Sequence, residues 1–215
     1  MKANYSLVVY VLFGALATGC VTPVPVPKME HQEASGIAIS VKIKRPLGWP
    51  TDDAQQVYFI KVDGNAGIHS STVIQSNFEK DGMVYLLNAD PGDYSAVAAW
   101  HVGTAAPTAP TLPGFSITFN PAAMGFTTYF PKDIVELTRV SVEKGQIACA
   151  GTYVLSTSVF GDRDPTQSHY QSVISRGISW RGKHNDAKND ANTKSECLKK
   201  VKEDLADSEW PAVIK

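Results

Sequence analysis

The sequence predicts a mainly β protein, an antiparallel β-sandwich closed by one C-terminal amphipathic helix. Three observations carry this. Apolar residues alternate with polar ones at period 2 in several runs of five to ten residues. Gly, Pro and Asp turn signals separate those runs. A helical 3.6-residue period is clear only near the C-terminus. Of the 215 residues, 43% are hydrophobic and 19% charged, an ordinary globular balance. The formal net charge is −1, from 20 basic and 21 acidic residues. No basic stripe or arm stands out, so nucleic acid is not an expected partner.

The N-terminus opens with one cation, Lys2, then the apolar run "LVVYVLFGALA", then small residues. These are the three parts of a secretory signal peptide, expected over 1–19. A spanning helix needs about 20 apolar residues. This run ends sooner, at Thr18-Gly19, and Pro23, Pro25 and Pro27 follow. Ala17-Thr18-Gly19-Cys20 resembles the lipobox of bacterial lipoproteins, with Leu16 one position further back than the family's usual leucine. The resemblance implies cleavage before Cys20, acylation of its sulfur and a membrane partner reached through lipid. It also implies residence in the bacterial cell envelope. Val21, where Asp would signal inner-membrane retention, points to the outer membrane if the source is Gram-negative. The alternative is an ordinary secretory signal with a chance cysteine. Either way "VTPVPVPKMEHQEAS" cannot be helical, because each Pro lacks an N–H and restricts its predecessor. Residues 20–35 are therefore expected to form an extended, Pro-rich tether that holds the body tens of ångströms from the lipid.

A β-sandwich domain is expected over 36–160. "GIAISVKIKRP" sets Ile37, Ile39, Val41 and Ile43 on one face. "QQVYFIKVDG" follows, with a turn at Asp63-Gly64-Asn65, and "HSSTVIQSNFEKDG" carries another at Lys80-Asp81-Gly82. "MVYLLNADPGDYSAVAAWHV" gives two strands around Asp90-Pro91-Gly92-Asp93. The Pro/Thr/Ala-rich segment Gly103–Gly114 offers no core face and should be an exposed loop. "FSITFN", "DIVELTRVSVEKGQIACAGTYVLSTSV" and "SVISRGISW" supply the later strands, with a hairpin turn at Glu143-Lys144-Gly145.

"YLLNADPGDYSAVAAW" resembles the strand pair of transthyretin-like (prealbumin-like) and carboxypeptidase-regulatory-like sandwiches. "LTRVSVEKGQIACAGTYVL" is similar to their later hairpin. The resemblance implies a fold and no activity, and Asp90 stands where such modules carry a second Pro. Tyr94 is expected to be a packed core residue.

The region 161–215 is expected to be a polar connector followed by a helix on the sandwich. "GDRDPTQSHY" and "RGKHNDAKNDANTK" are rich in turn formers. In "TKSECLKKVKEDLADSEW", Leu198, Val201 and Leu205 fall on one helical stripe. With Cys20 acylated, Cys149 and Cys197 remain as a pair in an oxidising compartment, where disulfides persist. A bridge would pin the helix to the sandwich. Two separate buried thiols are the alternative.

The search for chemistry yields no catalytic set and no cofactor. His31, His69, His101, His169 and His184 are scattered, with no metal-ligand spacing and no CxxC. "GISWR" departs from a nucleophile elbow at its last position. Asp162 and Asp164 could hold a cation but read better as a turn. Two function classes remain. One is a non-enzymatic, lipid-anchored envelope module that binds another protein or a glycan, or is structural. The other is an envelope hydrolase or transport accessory with a loop-built site, for which His101, Asp162 and Ser179 are the candidate residues.

Overall fold

The computed structural model describes residues 24–46, 50–62, 68–70, 72–103, 124–158 and 164–214. The expected signal peptide, Cys20, the expected turn at 63–65, the residues after Gly103 expected to form a loop, the "FSITFN" run and Asp162 lie outside the described residues.

Among the described residues, eleven strands form one mixed sheet. They are β1 (Ser35–Lys44), β2 (Thr51–Asp53), β3 (Gln56–Lys61), β4 (Ile74–Gln75), β5 (Phe78–Lys80) and β6 (Met83–Ala89). β7 (Gly92–Gly103), β8 (Met124–Tyr129), β9 (Val140–Val142), β10 (Ile147–Ser158) and β11 (Ile178–Lys188) complete it. Among the described residues, three α-helices accompany the sheet: α1 (Lys132–Leu137), α2 (Pro165–Val173) and α3 (Ala191–Asp204). Among the described residues, no helix is long and apolar enough to cross a membrane.

The strand order is β4-β3-β7-β8-β11-β10-β1-β6-β5, with β2 paired to β1 and β9 to β7. The sheet is mixed, which corrects the antiparallel expectation. β1 runs parallel to β10, and β8 runs parallel to β11. Period-2 patterning fixes which face a side chain takes but not which strand lies alongside, so it is silent on direction. The sheet curls without closing into a barrel. β3 comes into contact with β6, although they sit near opposite ends of the strand order.

The concave side holds the larger core. Ile37, Ile39, Val41 and Ile43 of β1 meet Val57 and Phe59 of β3, Val97 and Ala99 of β7, and Tyr153 and Leu155 of β10. The other face of β1, β6 and β10 carries a second core. There Ala38, Tyr85, Leu87, Ile147 and Cys149 pack under Cys197, Val201, Leu205 and Trp210. Two covered faces explain why β6 is apolar at nearly every position.

Local chemistry accounts for several elements. Asp81 and Gly82 both have positive φ, 49° and 77°, and Lys80 pairs with Met83. That is the two-residue primed turn whose twist suits a hairpin. The β6–β7 link differs. Each strand pairs elsewhere, so the chain passes from one arm of the curl to the other. Tyr94 is buried, as expected, and its hydroxyl donates to the Asp90 carbonyl at 2.8 Å.

Two other expectations need correction. "DIVEL" is helical, not extended. Ile134 and Val135 are buried, and the Thr138 hydroxyl that follows accepts from the Ala96 N–H at 3.0 Å. Five residues are too few for periodicity to separate helix from strand, and the docking on β7 decides it. The turn at 143–145 is present, with Gly145 at φ 72°. It does not close a hairpin, because β9 pairs with β7 while β10 pairs with β1 and β11.

The polar connector also contains regular structure. Asp164 caps α2 through the Thr166 and Gln167 N–H groups, with Pro165 in the first turn. β11 joins the two parallel pairings, although most of its side chains are exposed. Its stability comes from neighbouring backbones rather than an apolar face.

Candidate functional site

β1 points alternate residues into the concave core, and the alternation continues past its end to Arg45. This buried cation meets Asp52 of β2, whose residue pairs with Ile43. Arg45 Nη2 donates to Asp52 Oδ1 at 3.2 Å. Arg45 Nε lies 2.5 Å from Oδ2, a close charge contact not aligned as a hydrogen bond. Gly103 makes room for the guanidinium, since a Cβ there would lie 2.8 Å from Nη1. A buried arginine needs such pairing, because an isolated charge is costly away from water.

His101 of β7 completes the cluster. It is fully buried, and its Nε2 lies 3.5 Å from Asp52 Oδ2. Neither ring nitrogen has a hydrogen-bond partner among the described residues. The ring stacks on Phe126 at 5.4 Å, and Phe126 meets Trp180 edge-on at 5.1 Å. Burial, reinforced by the Arg45 charge, pushes the imidazole pKa down to about 4. Burial raises the Asp52 pKa, while Arg45 pulls it the other way without prevailing. The cluster is thus the Arg45–Asp52 pair beside a neutral imidazole on an aromatic wall.

Chemically, the arrangement is poorly suited to proton transfer. An imidazole with a pKa near 4 is a weak base at pH 7. Fully buried beside the Arg45–Asp52 pair, the ring packs in the core rather than facing solvent. A hydroxyl nucleophile is not delivered by Ser179. Register places Trp100, Thr127 and Ser179 on one face, and His101, Phe126 and Ile178 on the other. The His101/Ser179 grouping is therefore not assembled. On the outer face, Arg176 stacks over the Trp100 ring at 3.9 Å.

The remaining sites are accounted for differently. Asp164 is occupied as a helix cap, and its Oδ2 also accepts from the Lys132 N–H at 3.2 Å. It borders a cavity of about 230 Å³ shared with Asp133, Arg181 and His184. Among the described residues, no three His, Cys, Asp or Glu side chains converge on a metal position. Cys149 and Cys197 are joined by a disulfide that fixes α3 to β10. Arg45 and Asp52 escaped sequence reasoning. The available signal was the odd-numbered stripe 37-39-41-43, which puts residue 45 inward.

Compared with protein-family models, curated proteins and solved structures, the chain matches none.

Proposed function

We propose that this chain is a lipid-anchored protein of the bacterial cell envelope. Its β-rich body serves as a binding or structural module, and acyl chains on Cys20 hold it to the membrane. The observation that carries this reading is the partition of the three cysteines. Two are locked together, as suits an oxidising compartment, and the third directly follows a short apolar leader and small residues. More than one acyl chain makes such anchoring durable. Val21 favours the outer membrane in a Gram-negative source. The passage of β6 to β7 between the two arms supports a sandwich-like module of the transthyretin type, whose exposed surface would make the contact with an envelope protein or glycan.

Intact-mass measurement of protein extracted from its membranes tests the anchor. The expected species begins at Cys20 and carries acyl mass, and Cys20→Ser should release the protein from the membrane fraction. Retention of residues 1–19, or a bare thiol on a mature terminus, would overturn the proposal.

A further inference from the structure

The segment behind Cys20 is not a free stalk. The Trp210 indole Nε1 donates to the Pro27 carbonyl at 2.7 Å. Asn88 clamps the next turn of chain from both ends of its amide. Nδ2 donates to the Lys28 carbonyl at 2.8 Å, and Oδ1 accepts from the Glu30 N–H at 3.0 Å. Asn88 holds a left-handed backbone, φ 62°, to present that amide. Val26 and Met29 pack against the second core, beneath which lies α3. Val24, 71% exposed, stands clear of the body at the start of the strap.

Chain geometry then limits the stand-off. From Cys20 to the packed Val26 there are six residue steps, which span at most about 20 Å when fully extended. The headgroup layer that receives an acylated cysteine is itself about 5–8 Å deep. A body of this size is about 40 Å across. The tether is thus too short to let the body turn freely.

We propose that the face formed by the 24–30 strap, the β5 edge and the turn after α3 lies against the bilayer surface, its partner being lipid. This rests on the acylation of Cys20. Around the point where Val24 leaves the body lie Phe78, Lys80, Asp207, Ser208 and Glu209. α2 packs on the β7–β8 arm rather than on the β1–β6–β10 arm that carries the strap, and the Tyr129 hydroxyl donates to the Ile174 carbonyl there. The bilayer is therefore next to residues 207–209, and α2 faces away from it.

The experiment uses full-length, membrane-extracted protein reconstituted in phosphatidylcholine vesicles that carry a headgroup quencher. Asp207→Cys and Gln171→Cys each place a fluorophore on an exposed side chain, one beside the strap and one on α2. With Cys20 acylated and the other cysteines bridged, each label has a single thiol to take. Quenching at 207 is expected to exceed that at 171 about threefold, given a body about 40 Å across. Inserting about twenty Gly/Ser residues after Val21 adds about 25 Å of reach, and should bring the two sites level. Equal quenching without the insertion, or unchanged quenching at 207 with it, overturns the orientation. The intact mass of the same sample separates the two failures: acylated protein with equal quenching sinks only the orientation, whereas absent acyl mass removes the anchor and the orientation with it.

Discussion

Opening the Cys149–Cys197 bridge should lower stability by about 4 kcal/mol. The two residues are 48 apart in sequence, and chain-entropy theory gives about that loss for freeing a loop of this length. Spread over a domain of this size, each kcal/mol moves Tm by about 2–4 °C, so a drop of about 8–16 °C follows. Urea titration of oxidised protein against the same protein in dithiothreitol isolates the entropic part, because both sulfurs stay in place. The Cys149→Ala/Cys197→Ala pair removes two buried sulfurs as well, and should lose about 1–2 kcal/mol more. Hydrogen exchange supplies a further check. If the bridge acts on the whole unfolded chain, the slowest amides of β1 and β10 should exchange faster along with those of α3. A change below about 1 kcal/mol on reduction, or one confined to α3, would refute the reasoning.

Asp204 is buried at the end of α3, accepts from the Tyr85 hydroxyl at 2.6 Å and from Lys200 Nζ at 2.9 Å, and lies against the second core. Asp204→Ala should cost about 1–3 kcal/mol in urea unfolding by stranding the buried Tyr85 hydroxyl, while Lys200 stays hydrated beside Asp81. His101 is neutral when buried, with a pKa near 4 against about 6.5 in the unfolded chain. The unfolded state therefore binds the extra proton between those values, and stability should fall by about 3 kcal/mol as pH drops from 7 to 4. In His101→Gln that part of the pH slope should vanish, and an unchanged slope would exclude His101 as its source. Gly82→Ala forces a side chain into φ 77° and should cost about 1–2 kcal/mol by thermal melt, with the β5–β6 hairpin exchanging fastest. Asn88→Gly keeps the left-handed backbone but removes both strap hydrogen bonds, so limited proteolysis within 24–33 should speed up while the core Tm changes little.

Much of the strand content was legible because alternation is a local property. Ile37 to Ile43 point inward as the pattern demands, and Leu198, Val201 and Leu205 line the helix face as spaced. The Asp81-Gly82 turn was equally plain. α2 carried a legible signal too, an Asp-Pro start that caps its own helix, hidden among turn-forming neighbours. Of β11, only Ile178–Trp180 fell within the strand expected at "SVISRGISW", whose start is instead the end of α2, and the rest had no such signal. Its exposed residues are held by backbone bonds to β10 and β8, and backbone bonds leave no mark on side-chain pattern.

From the letters alone followed the β-rich class, the terminal helix and the Cys149–Cys197 pairing. Each depends on neighbours a few residues apart or on simple counting. The directions of β8 and β10, the helical state of "DIVEL", the burial of Arg45 with Asp52 and His101, and the docking of the 24–30 strap were settled only in three dimensions. In each of those cases the deciding partner lies far away along the chain, so the free energy that selects the conformation belongs to the contact and not to the segment.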